Sequence, residues 1–235
     1  MHSLPQKLFA EFIGTFAVIF TAIGAIAADQ YLRVANQPGL TLLGTAFAYG
    51  LMYAVMIVAV GHISGAHLNP AVTLGFWVTK RLGTVQSLLY WVAQLAGALA
   101  ASYLLVAILP EANWRAEVLG AVTPNIAQDL TRLHAMLLEG ALTFIVVFVF
   151  FATTVGERAE HHRTHGYAAG LALLVASIFA LPFTGAAFNP ARTFGPALAT
   201  HHWTNHGVYW VGPLLGAVLA AVVYDKIYLA ERGPQ

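Results

Sequence analysis

The sequence contains no cysteine among its 235 residues. Without thiols the chain can form neither a disulfide framework nor a thiol-based catalytic or metal site. Charged residues are also scarce, at 9% of the chain, whereas an ordinary soluble domain carries about 25%. The formal net charge is +1, so no basic field favours nucleic acid. These absences exclude a disulfide-rich secreted protein and a nucleic-acid-binding domain.

Apolar residues, by contrast, make up 59% of the chain, and the mean hydropathy is +0.71. A water-soluble protein of this size could not cover so much apolar surface. A helix needs about 20 apolar residues to cross the core of a bilayer. Six segments approach or exceed this length: 8–28, 40–60, 84–108, 133–155, 167–183 and 207–228. The sequence therefore predicts an all-α membrane protein with six transmembrane helices.

The first apolar segment follows Lys7 and has the outline of a signal peptide. It also contains Glu11, and an acid in the middle of a membrane helix costs about 2.5–3.5 kcal/mol. A cleaved leader has no need for such an acid. We therefore expect this segment to be a retained first span.

Two shorter apolar segments, 69–79 and 189–200, each begin with Asn-Pro. Asparagine caps the free N–H groups of a helix, and proline fits the first helical position. At about 1.5 Å per residue, helices of this length reach only half-way through a bilayer. We predict two re-entrant half-helices, which start at Asn69-Pro70-Ala71 and Asn189-Pro190-Ala191.

The chain divides into two similar halves. Each half opens with an acid on its first span, Glu11 or Glu139, and places an Asn-Pro-Ala motif after its second span. Each half has three spans, an odd number, so the second half must be inverted relative to the first. We predict a single transmembrane domain over 1–235, with inverted repeats at about 5–110 and 133–229 joined by an external loop, 111–132.

Charges near the ends of the spans indicate the orientation, because cytoplasmic loops carry an excess of Lys and Arg. One side holds seven such residues: Lys7, Lys80, Arg81, Arg158, Arg163, Lys226 and Arg232. The other side holds four: Arg33, Arg115, Arg132 and Arg192. We therefore expect both termini to be cytoplasmic and the protein to lie in the cell (inner or plasma) membrane.

The stretches before the two half-helices, "GHISGAH" and "FTGAAF", predict a cavity. Irregular backbone at membrane depth is tolerated only where it is buried in protein or lines a water-filled cavity. The carbonyl groups of these loops can form a ladder of acceptors: Gly65, Ala66, His67, Gly185, Ala186 and Ala187. The amides of Asn69 and Asn189 can donate from the opposite direction. The two half-helix N-termini each bring about +0.5 charge to the centre, and this field repels cations, including protons.

Glu11, Glu139 and Arg192 are charged residues that lie inside apolar segments, away from their C-terminal ends. Glu11 and Glu139 are either a proton relay or structural carboxylates that accept N–H groups of the irregular loops, and their equivalent placement favours the structural role. Arg192 has no charged counterpart in the first half, where Val72 occupies the equivalent position. An arginine at membrane depth marks a pathway by default, so we expect Arg192 to donate at an external constriction.

The motifs together resemble the aquaporin, or major intrinsic protein, family. The similarity covers nearly the whole chain and includes "AEFIGTF", "GHISGAHLNPAVTLG", "LLEGALTF", "FTGAAFNPARTFGPAL" and "YWVGPLLGA". The resemblance implies the aquaporin fold, with six spans, two half-helices, a pore in every subunit and a homotetramer in the lipid bilayer. It also implies passive passage of water or small neutral solutes, with no enzyme activity, no cofactor and no metal site.

The resemblance places a selectivity filter at Tyr49, Ser177, Ala186 and Arg192, and an apolar pore wall at Val18, Tyr53, Val146 and Leu173. Strict water channels have histidine at the position of Ser177. Serine is smaller, so the constriction is expected to be wider. We predict a water channel with a widened filter that also admits small uncharged solutes such as glycerol, urea, ammonia or hydrogen peroxide.

A facilitator for such solutes is the alternative main role. Glycerol facilitators typically have Asp and Lys where this chain has Thr193 and Ala197, and Tyr209-Trp210 is similar to the water-channel pattern. Many relatives are blocked by mercurial reagents through a cysteine at the position of Ala186. This chain has none and is expected to resist them.

Other functions find less support in the sequence. A secondary transporter also uses inverted repeats and broken helices, but it usually needs an ionisable group at its central site. An enzyme is disfavoured because no nucleophile–base arrangement or metal-ligand spacing is present. An adhesive protein with a vestigial pore would not need two complete motifs and Arg192. His161, His162 and His165 allow a pH gate or metal site in the loop 156–166, although a solvated loop is the simpler interpretation.

Overall fold

The computed structural model describes residues 2–109, 126–127, 129–155 and 165–229, and the regular structure of these residues is entirely helical. The helices are α1 (Leu4–Val34), α2 (Thr41–Ser64), α3 (Pro70–Val78), α4 (Thr84–Ile108), α5 (Arg132–Thr154), α6 (His165–Thr184), α7 (Pro190–Thr200) and α8 (Val208–Val223), and a π-helical turn (Tyr224–Tyr228) continues α8. Six of them are long and apolar enough to cross a membrane, and α3 and α7 are too short. The predicted fold class is confirmed.

Helix α1 is longer than the predicted span. It has 31 residues, Leu4–Val34, whereas the prediction covered the apolar stretch 8–28. At its start the backbone N–H of Ser3 donates to the Gln6 side chain, 2.8 Å away, in a capping box. Near its end Arg33 and Asp29 form an ion pair of 2.7 Å. Polar residues thus stabilise helical turns at both ends of α1, outside the apolar middle that hydropathy detects.

Small residues allow the long helices to approach closely. Gly97 of α4 packs against the backbone of Phe12 in α1, and Gly216 of α8 packs against the backbone of Gly140 in α5. A Cβ atom at Gly170 in α6 would lie 2.6 Å from the carbonyl oxygen of Gly50 in α2. Glycine at these crossings lets the backbones touch, as in other membrane helix pairs.

Each half-helix packs against the last long helix of the other half. Helix α3 contacts α8, where a Cβ atom at Gly75 would lie 3.1 Å from that of Ala221. Helix α7 contacts α4 in the equivalent way, with Gly195 against the backbone and side chains near Ala98. The half-helices therefore interlock the two halves at the centre of the molecule.

The outer surface of the six long helices is apolar. Large apolar side chains that are about half-exposed or more occur on each of them, for example Phe9, Val55, Val92, Leu137, Val175 and Leu219. A soluble monomer rarely exposes so extensive an apolar surface, whereas lipid covers it at no cost in hydrogen bonds.

Candidate functional site

The two half-helices begin with the same cap. The Asn69 side-chain oxygen accepts from the Ala71 N–H at 2.8 Å, and the Asn189 oxygen accepts from the Ala191 N–H at 2.9 Å. Both asparagines have extended backbone, and proline follows each at the first helical position. Local sequence alone accounts for these starts, because Asn satisfies a free N–H and Pro needs no partner there.

The amide nitrogens of the same asparagines connect the two loops. Asn69 Nδ2 donates to the Phe188 carbonyl and Asn189 Nδ2 donates to the Leu68 carbonyl, each at 2.9 Å. A side-chain amide has two N–H groups, so each asparagine keeps a second donor that no described residue accepts. The capped N-termini of α3 and α7 thus lie together, with donors available to a solute between them.

The loops before the half-helices share an unusual backbone. Three residues of each loop have left-handed φ angles: Gly65 (93°), Ala66 (47°) and Leu68 (52°), and Gly185 (74°), Ala186 (53°) and Phe188 (54°). For a residue other than glycine this conformation costs roughly 1–2 kcal/mol. The cost persists only where surrounding bonds hold the loop in place.

Glu11 supplies those bonds in the first half. Its carboxylate accepts from the backbone N–H groups of His67 (2.9 Å) and Leu68 (2.7 Å), from Ser64 Oγ (2.7 Å) and from Gln94 Nε2 (2.8 Å). The residue is fully buried. Four donors therefore fix one carboxylate and, through it, the loop.

Glu139 does the same in the second half. It accepts from the N–H groups of Ala187 (3.0 Å) and Phe188 (2.7 Å) and from Thr184 Oγ1 (2.6 Å). The position that matches Gln94 by its spacing from Tyr-Trp is Pro213, which has no amide to offer. Both acids are bonded to the loops they face, which favours a structural role over a proton relay.

Arg192 and Tyr49 lie together. The Arg192 Cζ atom is 4.9 Å from the centre of the Tyr49 ring, a cation–π contact, and the Tyr49 hydroxyl donates to the Ala187 carbonyl at 2.9 Å. Arg192 is 1% exposed, yet its Nε and Nη1 atoms have no partner among the described residues. A buried guanidinium with two unused donors is suited to bind a polar solute.

The other expected filter residues are small and buried. Ser177 and Ala186 are fully buried, and the Ser177 hydroxyl donates back to the Leu173 carbonyl of its own helix at 2.7 Å. A hydroxyl turned to its own backbone projects little beyond the helix. Two small side chains therefore occupy these expected filter positions.

The four residues expected to form an apolar pore wall lie in the protein interior. Val18, Val146 and Leu173 are buried in the central apolar cluster, as is Tyr53. The Tyr53 hydroxyl, however, donates to the His67 carbonyl at 3.3 Å, so this side chain also makes a polar contact. Assigning single residues by their resemblance to the family does not predict that bond.

The expected ladder of carbonyl acceptors is partly occupied. Tyrosine hydroxyls bind the carbonyls of His67 and Ala187, and asparagine amides bind those of Leu68 and Phe188. In the first loop Gly65 is exposed, whereas in the second loop Gly185 is buried. The two loops are alike in backbone but differ in access.

Part of the predicted organisation lies outside the described residues. This applies to most of the linker 111–132 and to His161 and His162 of the histidine-rich loop 156–166, while only the backbone of His165 is described, at the start of α6. In the described part of the chain no three His, Cys, Asp or Glu side chains form a metal-binding group.

Comparison with known proteins identifies the family to which this chain belongs. The sequence profile of the major intrinsic protein family matches residues 2–224. The chain belongs to the major intrinsic protein family. It is 39% identical to the lens fiber major intrinsic protein of Ovis aries over 95% of this chain and 81% of that protein. It is 34% identical to aquaporin-4 of Mus musculus over 94% of this chain and 67% of that protein.

The fold of this major intrinsic protein is also found in a solved structure. The X-ray structure of the aquaglyceroporin from Plasmodium falciparum superposes with a TM-score of 0.78 over 96% of this chain and 97% of that chain. Sequence identity to it is 23%, so this similarity shows the fold alone. Family membership and six apolar helices make this an integral membrane protein of a family of passive channels for water or small solutes.

Proposed function

We propose that this major intrinsic protein is a passive water channel that excludes protons and other ions. The observation that carries the proposal is the meeting of the two capped half-helices, where Asn69 and Asn189 each keep a free N–H donor. Water oxygens accept from these donors, while the positive ends of α3 and α7 repel cations.

We place the filter at Tyr49, Ser177, Ala186 and Arg192. The Tyr49 ring is held against the guanidinium, and its hydroxyl is bonded to the Ala187 carbonyl, so neither group is free to swing across a solute. Ser177 is bonded to its own helix, and its small side chain is the reason for expecting a wide filter. A small uncharged solute with a hydroxyl or carbonyl oxygen can bind Arg192 Nε and Nη1. Glycerol and urea therefore accompany water in this proposal.

A solute facilitator is the second candidate, and the small Ser177 side chain is the observation that favours it. A secondary transporter and an enzyme have weaker support. Glu11 and Glu139, the acids that a coupled transporter would use, already accept bonds from the loops. Their carboxylates are fully buried and are not placed to bind a substrate.

Replacing Ser177 with histidine tests the filter. Histidine adds a ring opposite Arg192, so glycerol and urea entry should fall by about tenfold or more while water permeability changes by less than about threefold, because pore diameter and lining donors decide what passes. Stopped-flow light scattering of proteoliposomes measures both, as shrinkage under an impermeant osmolyte and re-swelling under the solute. Ser177→Ala is the control, which keeps the space and should keep the solute entry.

Two results would contradict the widened filter. One is the absence of glycerol and urea entry in the unmodified channel. The other is solute entry that survives the histidine unchanged, which would place the constriction elsewhere.

Ala186→Cys tests whether this residue faces the conducting path. The unmodified chain has no cysteine, so mercury chloride should leave its water permeability unchanged. A thiol at Ala186 should make the channel sensitive, with recovery after a reducing thiol is added. Ala186 already has a left-handed φ of 53°, and cysteine bears that conformation no worse than alanine. Ala101→Cys, buried on α4 away from the loops, is the control, and equal inhibition of both variants would refute the placement.

We also propose that the protein is a homotetramer in the plasma membrane, with both termini of each chain in the cytoplasm. Each chain contains two inverted repeats, at about 5–110 and 133–229. Arg81 and Lys226 both contact Asp225, at 2.7 and 3.2 Å, so these two cations of the more basic side lie together. This grouping supports the orientation that the charges favour. Proteolysis of right-side-out and inverted vesicles would test it.

A further inference from the structure

A chain of hydrogen bonds leads from the buried acid of the first half to the ring of His67. Gln94 Nε2 lies 2.8 Å from Glu11 Oε2 and 2.9 Å from Thr73 Oγ1, and Thr73 Oγ1 lies 3.1 Å from His67 Nδ1. All four residues are nearly or fully buried. Gln94 is thus one of the four donors to Glu11, and its second bond connects this carboxylate to Thr73 and His67.

The direction of each bond follows from the chemistry of the groups. A carboxylate accepts only, so Gln94 must present its NH₂ group to Glu11 rather than its oxygen. The second N–H of the same group then donates to Thr73 Oγ1. Threonine has one hydroxyl hydrogen, and among the described residues the acceptor found beside it is His67 Nδ1, 3.1 Å from the Thr73 oxygen.

One tautomer of His67 satisfies every hydrogen in this series of bonds, because a buried hydroxyl hydrogen needs an acceptor. Nδ1 accepts from Thr73, so the ring proton is on Nε2, because the bond made by one ring nitrogen fixes the state of the other. Nε2 has no partner among the described residues. It lies beside exposed Gly65, where a Cβ atom would be 3.4 Å away. The Phe76 and Tyr90 rings, centred 4.4 and 5.4 Å from the imidazole, hold it in place.

The second half has no such chain. Ala187 occupies the place of His67, Pro213 the place of Gln94, and the Thr193 hydroxyl donates to the Pro190 carbonyl at 3.0 Å instead. The repeat therefore builds its second loop without these bonds. A feature that only one repeat carries is not explained by scaffolding that both repeats need.

We propose that Gln94 and Thr73 are positioning residues that hold His67 as an Nε2–H donor toward the conducting path at the Gly65 end. This donor binds the oxygen of water or of a small neutral solute, and it has the same polarity as the free amides of Asn69 and Asn189. The functional part rests on the proposed channel function, whereas the tautomer does not depend on it.

Nitrogen NMR of ¹⁵N-histidine-labelled protein in liposomes tests the tautomer directly. The His67 signals are assigned by their absence in His67→Gln. The expected spectrum shows an unprotonated Nδ1 and a protonated Nε2. Thr73→Ser keeps the hydroxyl and should keep this spectrum, whereas Thr73→Val, of nearly equal size, should give a mixture of tautomers. A protonated His67 Nδ1 in the unmodified protein overturns the proposal, whether or not the Thr73 variants fold.

Water permeability of the same proteoliposomes separates the two proposals. We expect Thr73→Val to conduct about two- to tenfold less than Thr73→Ser, the range for one lost hydrogen bond. The expected tautomer without any water flux would contradict the channel function and leave the positioning role standing. Equal flux in both variants with changed tautomers would refute the role of His67 in conduction.

Discussion

Replacing Glu139 with leucine is expected to abolish water permeability and to leave little folded protein. The substitution removes the acceptor for the N–H groups of Ala187 and Phe188 and for the Thr184 hydroxyl. A buried donor without a partner costs about 1–3 kcal/mol. Three of them approach the whole stability of a typical domain, about 5–15 kcal/mol. The left-handed residues of the loop would also lose the bonds that hold them.

The loss is measured by thermal unfolding in detergent and by stopped-flow shrinkage of proteoliposomes. Glu139→Gln retains one carbonyl oxygen and should be intermediate. Leu137→Ala is the control on the same helix, because this side chain is 60% exposed on the outer surface. A Glu139→Leu protein with the melting temperature and water permeability of the unmodified chain would show that the carboxylate does not hold the loop.

Replacing Arg192 with leucine is expected to let cations and protons through. A unit charge about 4 Å from a passing cation, at an effective dielectric constant of about 20, raises its energy by about 4 kcal/mol. Removing it can increase cation passage by up to about a thousandfold. The half-helix dipoles remain, so exclusion should weaken rather than vanish. Water permeability should persist, because the donors of Asn69 and Asn189 are unchanged.

A pH-sensitive dye inside proteoliposomes measures proton entry under a potassium diffusion potential. Arg132→Leu is the matched control, since Arg132 is exposed and donates to Asn205 at 2.8 Å, away from the loops. Unchanged proton entry in Arg192→Leu, with normal water flux, would contradict a role of Arg192 in excluding cations. The half-helix dipoles alone would then account for the exclusion.

Local signals made most of the fold predictable. The apolar segments and the two Asn-Pro starts give α3 at Pro70–Val78 and α7 at Pro190–Thr200 within a residue or so. The length of α1 was missed, because its polar ends are stabilised by a capping box and an ion pair that hydropathy does not register. The π-helical turn at Tyr224–Tyr228 has no signal in the sequence that we recognise.

The bonds among the candidate site residues were not predictable from the sequence. The family resemblance selects Tyr49 and Arg192, yet the bond from the Tyr49 hydroxyl to Ala187 joins residues 138 positions apart. Gln94 was missed altogether, although a polar residue in an apolar span is a signal that could have found it. Its partner, Glu11, is 83 positions away, and only the packing of α4 on α1 brings them together.

The most direct test of the central claim is the water permeability of the purified, unmodified protein in liposomes. Stopped-flow shrinkage should be several times faster than in empty liposomes, proportional to the osmotic gradient and indifferent to an imposed proton gradient. A rate equal to that of empty liposomes, or transport that saturates and follows the proton gradient, would contradict a passive pore where the two half-helices meet.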